Sequence, residues 1–245
     1  GVEMEVRGMK LGYAFFNPKH EILQHHAQQL GVRCAVTSAG WAGGFSRYIH
    51  EWDYMPLLKT KLSMESFGLE FSVVEGVGFL DEVKLGSEGR DEAIEHFILL
   101  LKNMSELGIK TVCYNWMPVW GWFRTDTNIK LDGGATVTGF DNDLIPVCPI
   151  TELGRVSQDR LWSNLEYFLK KVVPWAEKYR VQLALHPDDP PVDNIGGIER
   201  ILTSVNAMQR AIDLAPSEYN GITLCQGSFA AMGEDVIDSI RHFGT

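Results

Sequence analysis

The chain has 245 residues, 45% of them hydrophobic, and a formal net charge of -10. That is enough apolar material for one large core, and the acidic balance argues against a surface that wraps phosphate backbones, so no nucleic acid partner is expected. No apolar run approaches the roughly 20 residues needed to span a bilayer, and the opening GVEMEVRG has no apolar signal-peptide core. Four scattered cysteines (Cys34, Cys113, Cys148 and Cys225) form no CxxC pair, which predicts a reducing, cytoplasmic setting with thiols either buried or serving as ligands.

Short apolar runs alternate with amphipathic stretches throughout. LGYAFF (11–16) opens the series, and the helix after it closes at Leu30 with Gly31 as its stop. VRCAVT (32–37) and LEFSVVE (69–75) follow. In 91–107 the residues Ile94, Phe97, Ile98, Leu101 and Met104 make one helical stripe, with Gly108 as the terminator. KTVCYN (110–115) leads into 116–150, a long insertion rich in Gly, Asp and Trp. A second stripe, 158–179, presents Leu161, Leu165, Phe168, Leu169 and Val172; Ser157 is placed to cap it, and Pro174 is expected to kink or end it. VQLALH (181–186), a helix over 197–214 and GITLC (221–225) complete the pattern.

Apolar strands separated by helical crossovers imply a parallel sheet covered on both faces. A doubly wound sheet would carry a Gly-rich turn after its first strand, but here that turn is FFNPKHE, with neither GxGxxG nor a P-loop. The expected fold is therefore α/β, a (β/α)₈ TIM barrel, forming one domain over 1–245. Six of its eight strand–helix units are present, with the last two expected beyond Thr245.

In such barrels ligands bind at the carboxyl ends of the strands. Here those ends carry Glu75, Asn115, His186 (followed by Asp188 and Asp189) and Cys225. Imidazole and thiolate on neighbouring strands suit one divalent ion of borderline softness. On position alone the other reading stands beside it: His186 caps a turn and Cys225 is a small buried hydrophobe. Glu75 fits a substrate hydroxyl or a solvated strand end, and Asn115 can donate and accept toward a sugar hydroxyl or satisfy loop backbone groups. Asp188 and Asp189 orient the histidine, bind substrate or start a turn. In CYNWMPVWGWFRTD, Trp116, Trp120 and Trp122 read as loop packing or a subunit interface, which leaves a homo-oligomer open, and Arg124 as a carboxylate ligand.

These residues resemble a known family. CYNWMPV-WGW-RTD, HPDDPP and TLCQGS resemble the CYNFMPV-DW-RTD, HPDDPP and Cys-x-Gly-Ser segments of mannonate dehydratases, in the same order. WDYMPLLKTKLSMESFGLEFSVVEG, VKLGSEGRDEAIE and GGIERILTS also look like that family, so the resemblance covers most of the chain from about residue 50 onward. Two departures stand inside the match: Gly121 where the family has Asp, and GFDNDLIPVCPITELG, which aligns poorly. The resemblance implies a xylose-isomerase-like barrel that uses Mn²⁺ or Fe²⁺ to dehydrate D-mannonate to 2-keto-3-deoxy-D-gluconate in hexuronate catabolism. It implies His186 and Cys225 as metal ligands and Glu75, Asn115, Arg124 and Asp188 around the sugar acid. The remaining ligands and the proton-transfer residues are implied beyond Thr245. A sugar isomerase or epimerase on the same barrel, or a non-catalytic sugar-acid-binding relative, are the alternatives; a barrel endonuclease is disfavoured by the charge.

Overall fold

The computed structural model describes residues 8–16 and 21–244. The stretch GVEMEVR and residues 17–20 of the FFNPKHE turn, including His20, lie outside them. In chain order the elements are β1 (Gly12–Ala14), α1 (Glu21–Leu30), β2 (Cys34–Thr37), α2 (Tyr54–Ser66), β3 (Glu70–Glu75), α3 (Asp81–Leu85), α4 (Arg90–Glu106) and β4 (Thr111–Asn115). The 116–150 stretch holds a hairpin, β5 (Asp126–Lys130) and β6 (Thr136–Gly139), and a 3₁₀ turn. Then come α5 (Gln158–Tyr179), β7 (Gln182–His186), the short pair β8 (Asn194–Ile195) and β9 (Ile198–Glu199), α6 (Val205–Asp213), β10 (Asn220–Ile222), α7 (Gln226–Ala231) and α8 (Val236–Phe243).

Six strands form one all-parallel sheet in the order β1-β2-β3-β4-β7-β10. They stand side by side in the order of the chain, as successive staves of a (β/α)₈ barrel do. Among the described residues the sheet is open between β1 and β10.

The two faces of this sheet differ in chemistry. Val74, Val112, Tyr114, Leu183 and Leu185 are buried and, by their register, share the face that carries the helices. Tyr114 makes the docking concrete. Its ring lies 6.1 Å from Phe97 of α4 and 5.5 Å from Phe168 of α5, and Phe168 also meets Phe97 at 5.1 Å and Trp116 at 5.3 Å. Rings at these separations add about 0.5–1.5 kcal/mol per pair beyond their area. Because side chains alternate along a strand, Tyr114 facing out turns Cys113 and Asn115 inward.

The predicted helical stripes are buried as expected: Ile94, Phe97, Ile98, Leu101 and Met104 in α4, and Leu161, Leu165, Phe168, Leu169 and Val172 in α5. Ser157 caps α5 by accepting from the Arg160 N–H. Pro174 does not end that helix, which runs on to Tyr179. The proline lies on the exposed side, where the carbonyl it leaves unpaired is open to water, while Val172, Val173 and Ala176 keep the helix docked.

Besides shorter first and second strands, two boundaries near the carboxyl end of the sheet differ from the sequence expectation. The 197–214 helix is helical only over Val205–Asp213, capped by Ser204, because Ile198 and Glu199 pair in β9 and Ile201 and Leu202 are drawn into the core. GITLC stops as a strand at Ile222, and Cys225 sits beyond it as the residue that precedes α7. Among the described residues no helix is long and apolar enough to cross a membrane.

The short helix α3 is placed by α5. Asn164 donates to the Lys84 carbonyl at 2.8 Å and Arg160 to the Leu85 carbonyl at 2.8 Å. Gly86 ends α3 with φ +63°, and a Cβ there would lie 2.5 Å from the Asn164 Oδ1. Gly86→Ala is therefore expected to destabilise the protein by about 1–3 kcal/mol, from a strained backbone and a displaced contact. A urea midpoint equal to the wild type's would contradict this packing.

Candidate active site

The inward face gathers polar groups at the carboxyl end of the sheet. Glu75 is the register partner of Cys113 across β3 and β4, and Asn115 is the partner of His186 across β4 and β7. Partners in a parallel sheet point the same way, so all four share the inner face. Thr223, just past β10, joins them: its hydroxyl donates to the Ala184 carbonyl at 3.2 Å and lies 3.1 Å from the Cys113 sulfur.

His186 is held by its neighbours. Its Nδ1 lies 2.7 Å from the Pro187 carbonyl, which fixes Nδ1 as the donor and leaves Nε2 as the nitrogen available to Cys225 or an ion. Burial works to lower the imidazole pKa, but hydrogen bonds with Cys225 and the Pro187 carbonyl, with the charges of Cys225 and Glu75, raise it on balance. The Cys225 thiol is brought down to about 7, chiefly by its hydrogen bond with His186, against burial and with help from the Ser228 hydroxyl (3.3 Å) and N–H. Cys113 goes the other way: burial first, then the negative charges of Glu75 and Cys225, push it up to about 12. Of the two inward thiols, only Cys225 is therefore poised as a thiolate. Imidazole plus thiolate is a donor pair that fits a borderline divalent ion. Among the described residues no group of three His, Cys, Asp or Glu forms a complete cage. Burial raises the Glu75 carboxyl, and the His186 charge pulls it back in part.

Asn115 stands where the sequence placed it, beside His186. Asp188, expected among the sugar-acid contacts, is turned into the protein instead. It is fully buried, and its Oδ2 accepts from the N–H groups of Ile201 (3.1 Å) and Leu202 (3.2 Å). It anchors the loop after β7 through those two amides, which have no other partner among the described residues. Burial pushes its carboxyl up to about 6, against the opposing charge of Arg200 and those two amides. Arg124, expected to take a substrate carboxylate, spends its fork on Asp189 at 2.6 and 2.8 Å, and its Nε donates to Thr138. It clasps the insertion to the HPDDPP loop, in which the Asp189–Pro190 bond is cis. The three tryptophans divide. Trp116 is buried and donates to the Leu161 carbonyl, Trp120 packs on the core in part, and Trp122 is 53% exposed with the Arg124 guanidinium 4.3 Å from its ring.

Several groups at this mouth escaped the sequence reading. Lys84 is buried, with its ammonium 3.1 Å from the Asn115 Oδ1 and 3.6 Å from Asp81. Arg200, also buried, donates to the Gly121 and Pro190 carbonyls and to the Met117 sulfur. Val119 has φ +69°, rare for a β-branched residue; Trp120 N–H donates to the Pro118 carbonyl around it, and Val119 N–H donates to Asp81 at 3.1 Å. The one signal available for Lys84 was a lysine between two apolar residues of a five-residue helix, three positions after an aspartate.

Comparison with known proteins adds the following. The family model for D-mannonate dehydratase (UxuA) matches residues 9–155 and 149–245. The two matches meet at the loop ahead of α5, at the end of the poorly aligning GFDNDLIPVCPITELG stretch. A mannonate dehydratase of Thermotoga neapolitana is 35% identical, over 96% of this chain and 74% of that protein. The crystal structure of mannonate dehydratase from Streptococcus suis superposes with a TM-score of 0.84 at 34% identity, over 96% of this chain and 68% of that one. A D-psicose 3-epimerase superposes at 0.59 with 15% identity, over 95% of this chain and 69% of that one, a likeness of fold alone.

At the rim of the mouth, both carboxylate oxygens of Glu51 accept from the Gly78 N–H at 3.1 Å. Burial raises its carboxyl from 4.5 to about 7, against that N–H and the Lys84 charge. The folded protein thus keeps a proton that the unfolded chain releases, so this group's contribution to stability falls as pH rises from about 4.5 to 7. Glu51→Gln is expected to match the wild type near the bottom of that window and to exceed it above the top by about 1–3 kcal/mol. Urea midpoints at both ends check it, and a difference independent of pH would count against the assignment.

Proposed function

This chain belongs to the mannonate dehydratase family, and on that premise we propose that it removes water from D-mannonate to give 2-keto-3-deoxy-D-gluconate, using a divalent Mn²⁺ or Fe²⁺ ion held in part by His186 and Cys225. The observation that carries the reading is the pairing of these two groups. One imidazole nitrogen is tied to the Pro187 carbonyl, the other is left toward a thiol brought down to about 7, and both stand at the carboxyl end of adjacent strands. An ion bound there supplies Lewis acidity, which lowers the energy of negative charge developing beside the substrate carboxylate.

The reaction takes a proton from C2 and expels the C3 hydroxyl as water, leaving an enol that tautomerises to the 2-keto acid. The residues of this chain bind and orient for that chemistry. His186 and Cys225 offer the ligand pair, with the Ser228 hydroxyl and N–H supporting the sulfur. Asn115, next to His186, offers its amide to a sugar hydroxyl, and Glu75, facing the same space, offers a carboxyl oxygen to another. Arg124 and Asp188 act on the walls: the first clasps the insertion to Asp189 and the second pins the loop that carries His186. The four free thiols, Cys34, Cys113, Cys148 and Cys225, fit a reducing cytoplasm.

His186→Ala in the full-length protein is expected to lose bound metal and to lower turnover of D-mannonate by at least about a hundredfold, the upper part of the range for damage to a metal's ligand sphere. Elemental analysis and an assay for 2-keto-3-deoxy product across a panel of hexonates measure both. Stoichiometric metal in that variant, or a different hexonate turned over in preference, would overturn the corresponding part of the reading.

A further inference from the structure

Lys84 has no part in the chemistry above, yet it places a buried ammonium beside one of its groups. We propose that Lys84 is a positioning residue: with the Met117 N–H it holds the amide oxygen of Asn115, so that the amide nitrogen of Asn115 donates into the site next to His186. This rests on the reading that the site takes D-mannonate.

An asparagine amide can present either its oxygen or its nitrogen, and the choice is set by what surrounds it. Here two groups that can only donate converge on the oxygen: the Lys84 ammonium at 3.1 Å and the Met117 N–H at 3.0 Å. The flipped amide would set its own N–H donors against both, disfavouring that state by more than about tenfold. The amide nitrogen has no partner among the described residues, and Asn115 is only partly buried, on the face it shares with His186 and Glu75. Lys84 itself is 4% exposed, so it reaches a ligand only through Asn115. Its own geometry is determined from behind. Asn164 donates to its carbonyl, Gly86 lets α3 close on α5, and Asp81 pairs with the ammonium while also accepting from Val119 of the neighbouring loop. The direction of its pKa, lowered first by burial, agrees with an ammonium kept in a costly place.

The test is a double-mutant cycle on the full-length, metal-loaded protein with D-mannonate as substrate. Lys84→Met and Asn115→Ala are each expected to raise KM roughly tenfold with kcat within about twofold, the pattern for a group that binds ground and transition state alike. The double variant is expected to be no worse than the worse single variant. A wild-type KM in Lys84→Met, or effects that multiply in the double variant, overturns the proposal. If circular dichroism shows Lys84→Met unfolded, Lys84→Gln takes its place. Keeping an N–H donor, it is expected to hold KM within about threefold of the wild type, and a KM as high as that of Asn115→Ala overturns the proposal. Absence of D-mannonate turnover by the wild type overturns the functional reading and this inference together, whereas wild-type turnover with an unaffected Lys84→Met overturns this inference alone.

Discussion

The chemistry of this molecule depends on a packing constraint: Tyr114 can enter the aromatic cluster of Phe97 and Phe168 only with β4 in one rotation. With Tyr114 committed outward, the alternation of the strand turns Cys113 and Asn115 inward, and the parallel register then brings Glu75 and His186 to the same face. A slip of one residue would put Tyr114 into the polar interior and Asn115 under the helices, so the hydrophobic face selects the register and the polar face inherits it. The site is in this sense a by-product of the core. Neither Glu75 nor His186 makes the sheet more stable by its position, but each is carried there by the apolar residues on either side of it.

The loops above the sheet are joined in a different way. Lys84, Asp188 and Arg200 are all buried, and each charge taken from water costs several kcal/mol unless partners offset it. Here the partners are mostly backbone groups of separate segments. Asp188 accepts from two amides of the stretch ahead of α6, and Arg200 donates to carbonyls of the insertion and of the HPDDPP loop. The Arg124–Asp189 pair adds a second tie between the same two segments. One Asp188 oxygen is left without a partner among the described residues. An arrangement of this sort is a poor way to gain stability and a good way to keep three loops in register around a small opening.

Much of this was legible from the residues, for physical reasons. The parallel strands announce themselves as apolar runs, and the stripes of α4 and α5 follow the helical period without interruption. The places of Glu75, Asn115 and His186 follow from where the apolar runs stop. Cys225 was placed on a strand because TLC reads as β-type, although the ladder ends at Ile222 and the sulfur is presented from a loop. What periodicity cannot show is which way a polar side chain turns once its loop folds. Asp188 looked like a ligand because it closely follows the histidine, and Arg124 because a guanidinium among tryptophans suits a carboxylate, but each is met by a group of another segment. Lys84 shows the converse. Its burial depends on Asn164 and Asn115, 80 and 31 positions away, and no local pattern encodes either contact.

Val119 carries a different implication. A β-branched residue in the left-handed region costs on the order of 1–2 kcal/mol relative to a residue at home there. The position is therefore one where stability and the shape of the loop draw on the same backbone. Asparagine or glycine would relieve the strain, yet would also release a turn that is now fixed by having so few conformations open to it. Selection for heat resistance and selection for a rigid loop would pull this single residue in opposite directions.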